Sequence, residues 1–219
     1  MYKTYVFIEG EEGVDPFRFR GEDARVAVEA ALPGLVGYTQ TRALAEQARP
    51  PVPFVGVAEF YFDDISSALD NAGQVLAVSK LLNAGARVGP VTTGHARTVL
   101  RLAAHHNGGF IKGVFPFRRK ANMAVDEFQA RWWIGHGAIA ARTEDAVYYL
   151  QCHPLKECYV RGMPPYDGVT ELHWPDMITA KAALASRQMR EDQAQDSENF
   201  VDRDSVKLIM MEEEIVIPA

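Results

Sequence analysis

The sequence predicts an α+β fold made of two fused ferredoxin-like units, each running β-α-β-β-α-β. Three observations carry this reading. The chain repeats itself. The repeat comes as three matched strand segments in the same order. Each copy also leaves a strand for an Ala-containing helix through an aspartate.

The clearest match sets residues 57–65, Val-Ala-Glu-Phe-Tyr-Phe-Asp-Asp-Ile, against residues 169–177, Val-Thr-Glu-Leu-His-Trp-Pro-Asp-Met. Asp64 and Asp176 stand where a helix N-cap belongs, able to accept backbone N–H bonds. Before them, Tyr38-Thr39-Gln40-Thr41-Arg42 matches Tyr149-Leu150-Gln151-Cys152-His153, and residues 2–7 match residues 111–116. The offset drifts by a few residues, as loop insertions produce.

In the N-terminal copy the pattern predicts strands over 2–8, 35–43, 53–62 and 93–101, with helices over 22–32 and 64–82. In the C-terminal copy it predicts strands over 110–118, 146–154, 167–174 and 205–217, with helices over 124–136 and 176–190. Residues 103–109, Ala-Ala-His-His-Asn-Gly-Gly, read as a linker because Asn-Gly-Gly favours turns, which divides the chain into units 1–104 and 109–219. An antiparallel sheet takes helices on one face, and its other face needs cover that a second sheet supplies.

Composition narrows the function classes. The 219 residues are 47% hydrophobic and 24% charged, with a net charge of −6. That balance argues against a nucleic-acid partner, whose phosphates call for a basic surface. Membrane spans need about 20 apolar residues, and no stretch approaches that. The N-terminal apolar run is too short for a signal peptide. Cys152 and Cys158 form no zinc spacing and read as free thiols, which points to the cytoplasm. His95, His105 and His106 lack convergent partners, so no metal is expected. No Gly-rich loop joins a strand to a helix, so no nucleotide cofactor is expected.

The C-terminal half resembles the EthD family. The likeness rests on residues 110–120, Met123-Ala124-Val125-Asp126-Glu127-Phe128, Trp132 with His136-Gly137, Tyr149 to His153, Tyr166 to Glu171, Asn199-Phe200-Val201-Asp202 and Glu213 to Ile217. The resemblance implies a dimeric α/β barrel, here formed within one chain by two sheets packed face to face. It also implies chemistry without a cofactor, in a superfamily that includes cyclases, dehydratases, decarboxylases, isomerases and quinone-forming monooxygenases. Some EthD proteins have no demonstrated activity. This chain departs from the pattern at Ala124, where a serine or threonine cap is usual and Asn122 is expected to compensate. The N-terminal copy lacks the Trp…His-Gly element, so one site is expected, in the C-terminal copy.

Phe128, Trp132 and His136 fall four apart and share a helix face. An imidazole beside an indole at a cavity wall can move protons near neutral pH. A histidine near a helix C-terminus can instead bond the last carbonyls. Tyr149, Gln151 and His153 alternate onto one strand face. The expected catalytic residues are therefore His136, His153 and Tyr149. Phe128, Trp132, Gln151, Glu171 and His173 are the expected substrate contacts. Glu59 and Glu171 recur in both copies and also read as structural partners. Arg131 is expected to face solvent. So are the Gln195–Glu198 stretch and the carboxylates of residues 212–214.

The function these features favour is cofactor-independent acid/base chemistry on a small apolar aromatic or polyketide-like molecule, of lyase or isomerase type. A non-catalytic binding protein and a cofactor-free monooxygenase are the alternatives. With the sheets paired internally, a monomer is feasible, as is a homodimer.

Overall fold

In the computed structural model, which describes residues 1–11, 13–45, 52–83, 85–102 and 109–219, strand alternation decides the architecture. Strand β1 (Tyr2–Glu9) is buried on both faces. Tyr5 and Phe7 join one apolar cluster, while Val6 and Ile8 join another packed under helices. A strand buried on both sides lies between a second sheet and a helical layer, as the repeat requires.

The N-terminal half contributes β1, α1 (Gly21–Ala31), β2 (Leu35–Ala43), β3 (Phe54–Phe62), α2 (Ile65–Asp70), α3 (Ala72–Leu82) and β4 (Arg87–Arg101). The C-terminal half contributes β5 (Ile111–Arg119), α4 (Val125–Ala130), α5 (Gly137–Ala140), β6 (Tyr148–Pro154), α6 (Lys156–Arg161), β7 (Gly168–Trp174), α7 (Met177–Ala185), α8 (Ala194–Ser197), β8 (Val201–Asp202) and β9 (Ile209–Ile217). The first half orders its strands β4-β1-β3-β2 and the second β9-β5-β7-β6, the same ferredoxin-like order. Antiparallel pairing of β2 with β9 and of β4 with β6 joins the halves at two equivalent seams. The pairing of β5 with β7 leaves eight strands in one closed antiparallel barrel. Closure leaves no open edge.

The matched segments occupy equivalent registers. Glu59 lies opposite Tyr5 and Thr39, and Glu171 opposite Val114 and Leu150. Lys3 lies opposite Tyr61, and Lys112 opposite His173. Asp64 and Asp176 both cap helices, accepting from Ser67 N at 2.8 Å and Thr179 N at 2.7 Å.

The barrel interior holds an ion network at this pseudo-two-fold centre. Lys3 pairs with Glu171 and with Glu59, the latter at 2.7 Å. Lys112 bonds both Glu59 oxygens at 2.7 Å and reaches Glu213 at 3.1 Å and Glu171 at 3.4 Å. Tyr5 donates to Glu171 at 2.5 Å; Thr41 and Tyr61 donate to Glu59 at 2.8 and 3.0 Å. Burial alone would pull both ammonium groups down, but the facing carboxylates more than reverse it, so Lys3 and Lys112 are held above the usual lysine range. Burial pushes Glu59 and Glu171 up, and the lysines bring both below the usual carboxylate range.

Several local expectations are corrected. The helix expected over 64–82 breaks at Asn71, whose side-chain amide donates to Pro33 O at 2.9 Å and Ser67 O at 2.8 Å. The helix expected over 176–190 stops at Ala185, because Ser186 turns extended. Helix α4 starts with no side-chain cap, from Ala124 or Asn122. Glu213 does not face solvent: its side chain is fully buried against Lys112. His105, His106 and the linker of residues 103–108 lie outside the described residues. Among the described residues, no helix is long and apolar enough to cross a membrane.

Removing one cation from this network leaves carboxylates buried without compensation. Lys3→Met and Lys112→Met are each expected to lower unfolding free energy by about 3–5 kcal/mol, measured by urea denaturation at pH 7. A loss below about 1 kcal/mol in both would show that the network contributes little.

Candidate functional site

The site begins with two irregular helical turns. Helix α4 buries Phe128, and the chain then widens into a π-helical turn over Arg131–His136 before α5 resumes. A second π-helical turn, Gln188–Gln193, runs into α8. Such turns are rare and concentrate at functional sites. The two regions are tied together. Gln188 Nε2 donates to Ile139 O at 2.8 Å, and Gln193 Nε2 donates to Thr143 Oγ1 at 2.9 Å.

Between them and the outer face of the sheet lies a cavity of about 180 Å³. Trp132 and His136 come to it from the first π turn, Met189 and Gln193 from the second, and Phe117 and Leu172 from the strands. It falls between two packed clusters. One gathers Phe117, Phe128, Trp132 and Phe200; the other gathers Tyr149, Leu172 and Trp174 under α7. Gly168 allows the first to close, since a Cβ there would stand 2.8 Å from the Trp132 ring.

His136 is the titratable group at the wall. Its Nδ1 lies 3.0 Å from Asp196 Oδ2, and Arg131 holds the other Asp196 oxygen. A carboxylate only accepts, so Nδ1 carries the proton. Among the described residues no hydrogen bond engages Nε2, which is therefore a free basic lone pair. Burial lowers the His136 pKa below 6.5 against the opposing pull of Asp196, with Arg131 lowering it further. The imidazole is neutral at pH 7 and oriented by a carboxylate, the arrangement a general base needs.

The other expected site residues lie elsewhere. Gln151 Nε2 donates to Tyr149 Oη at 2.6 Å and Trp132 O at 3.1 Å, and Gln151 Oε1 accepts from His153 Nε2 at 3.0 Å. The His153 ring stacks on Trp132 with centroids 4.3 Å apart. These three form a buried ladder behind Trp132, and none lines the cavity. Tyr149 and His153 thus stand behind the indole, away from the cavity. The first half repeats the device, with Gln40 Nε2 donating to Tyr38 Oη and Phe19 O. Glu171 and His173 point to the opposite side of the sheet, inside the barrel, where they bond each other. The structure brings together Trp132 and His136, with Phe128 packed behind.

Sequence reasoning missed Asp196, Gln193 and Met189. Gln195–Glu198 reads as a solvated loop, yet it lies in and after α8, with Asp196 against His136. Arg131, expected in solvent, pairs with that same carboxylate. No pattern in residues 188–197 announces a π turn. Among the described residues, no three His, Cys, Asp or Glu side chains gather as a metal site requires.

Residues 120–204, which hold Trp132, His136, Asp196 and Phe200, match the family described as the EthD domain. The C-terminal half carries an EthD domain. Solved structures repeat the full two-half architecture. An anthrone oxidase-like protein superposes with a TM-score of 0.57 at 10% identity, over 98% of this chain and 92% of the other. A Lactobacillus acidophilus protein described as a candidate monooxygenase gives 0.55 at 10% identity, over 99% and 95%. A mutant chlorite dismutase from Candidatus Nitrospira defluvii, in complex with cyanide, gives 0.55 at 11% identity, over 96% and 90%. At these identities the likeness is one of fold. No curated protein sequence matches the chain.

Beside the EthD cavity, His153 leaves a separate signature in stability. Burial, then Arg97 and His95, lower its pKa from 6.5 to about 3, and its Nδ1 is buried without a partner. The folded state prefers the neutral ring. Its contribution is complete above pH 6.5 and is lost as pH falls from 6.5 toward 3. His136, also lowered, adds in the upper part of that window, whereas Glu59 and Glu171 act only below about 4.5. The expected result is a fall in urea stability between pH 6.5 and 4.5 that is shallower in His153→Gln. Equal slopes in the two proteins would refute the assignment.

Proposed function

We propose that the EthD cavity is the active site of an enzyme that uses His136 as a general base on a small, largely apolar molecule. The observation that carries this reading is the His136–Asp196 pair at the wall of an otherwise apolar hollow. The Arg131–Asp196 contact holds the carboxylate, the carboxylate fixes the tautomer, and Nε2 is left to take a proton. Phe117, Trp132 and Phe200 supply the apolar walls.

Size supports a small substrate. A cavity of roughly 150 Å³ takes up benzene, so about 180 Å³ suits a single ring better than a polyketide skeleton. The reaction class this supports is proton abstraction leading to elimination or isomerisation. Internal closure of the barrel supports a monomer, and two free thiols support a cytoplasmic setting.

With an active phenolic substrate in hand, kcat/KM should rise with pH through a single ionisation below 6.5 and then level. His136→Ala, folded by circular dichroism, should lose about 10²- to 10⁴-fold in kcat/KM. Asp196 raises the His136 pKa, so Asp196→Asn should lower the plateau and move the acidic limb to lower pH. Full turnover in His136→Ala refutes the role of the base. Ligand uptake without turnover would favour a carrier. Oxygen uptake with a reduced phenol would favour the oxygenase reading that the names of two structural neighbours suggest.

A further inference from the structure

The hydrogen-bonding character of the cavity wall narrows what it can hold. Among the described residues, no Asp, Glu, Lys or Arg lines it. A carboxylate ligand would be buried there without a partner, at considerable cost. Most of the polar atoms left to a ligand are acceptors, the Thr170 hydroxyl being the one that can also donate. His136 Nε2 is one, because Nδ1 carries the proton toward Asp196.

Gln193 supplies a second, and its orientation is fixed by its neighbours. Thr143 Oγ1 donates to Ala140 O at 2.6 Å, and Gln188 Nε2 donates to Ile139 O at 2.8 Å. Thr143 Oγ1 and Gln188 Oε1 are thus available to Gln193 only as acceptors. Gln193 must turn its NH₂ to both, at 2.9 and 2.8 Å, and both amide hydrogens are used. Its Oε1 makes no hydrogen bond among the described residues. Ser197 is a third case: its hydroxyl hydrogen goes to Ala194 O at 2.8 Å, leaving only lone pairs.

From this acceptor-rich wall we infer that the cavity favours neutral single-ring compounds carrying two or more O–H or N–H donors, with catechol as the simplest probe. The inference rests on the cavity being the substrate site and names the substrate class for it. Acceptor-only molecules are rejected because they leave His136 Nε2 and Gln193 Oε1 facing lone pairs. A phenolic hydroxyl also presents its proton to the nitrogen assigned as base.

The test is equilibrium binding to the intact protein at pH 7, by calorimetry and by Trp fluorescence. Catechol is compared with 1,2-dimethoxybenzene, which keeps the ring but has no donors, and with benzoate. Catechol is expected to bind at least about tenfold more tightly than either. Ser197→Ala, which removes one acceptor at a half-buried position, should narrow the gap between catechol and its ether by about threefold or more. Equal affinity for catechol and the ether, or tighter binding of benzoate, overturns the inference while leaving the cavity a binding site. No binding of any of the three overturns both. Catechol binding without any turnover leaves the inference standing and removes the catalytic reading.

Discussion

The fold depends on one constraint: two lysines and three glutamates share the centre of a closed barrel and must neutralise one another there. Lys3 and Lys112 occupy equivalent positions on the first strand of each half, and Glu59 and Glu171 equivalent positions on the third. Each lysine reaches across to the other half. Lys3 meets Glu171, and Lys112 meets Glu59. A one-residue slip in any of these strands would turn a charge into the helical layer. The network is therefore weak evidence for net stability and stronger evidence for register. It is also chemically quiet, since the lysines are held protonated and the two repeated glutamates ionised.

That quiet centre explains why chemistry is sought on the outer face. Inside the barrel every carboxylate of the network has a cation. Outside, the same β-α-β-β-α-β plan is executed twice with different results. In the first half, Val28, Phe60, Phe62, Val75 and Leu82 pack into one continuous cluster beneath α1 to α3. In the second half the helical layer parts into two clusters, and the cavity is the gap between them. Gln40 and Gln151 tie each sheet to what covers it in the same way. The asymmetry comes from the covering helices, and the sheets are alike.

The barrel was legible because its signals are periodic and repeated. Alternation on β1, the two Asp caps and the matched Glu positions each state a local rule, and the repeat states them twice. Trp132 and His136 were legible for the same reason, four residues apart on an apolar face. The remainder of the site was not. Glu171 and His173 share a strand face, as alternation predicts, but that face is the inner one, away from Trp132. His153 and Tyr149 were placed on the correct face but not behind the indole. That position depends on Gly168 admitting the Trp132 ring and on Gln151 reaching its carbonyl.

Asp196 shows most clearly what a sequence leaves out. A run rich in Gln, Asp, Glu and Ser carries the composition of a solvated segment, and Gln195 and Glu198 at its two ends are exposed. One carboxylate in it turns inward because the preceding turn is π-helical, which changes the angular position of every residue after it. The same widening occurs at Arg131–His136, on the other side of the cavity. Two turns of regular α-helix would place other side chains at that wall. The irregular geometry has a cost in helical hydrogen bonding, met where Gln188, Gln193 and Arg131 bond across the gap. The His136–Asp196 pair is thus a product of tertiary contacts between two distorted helices, which no spacing rule within either helix contains.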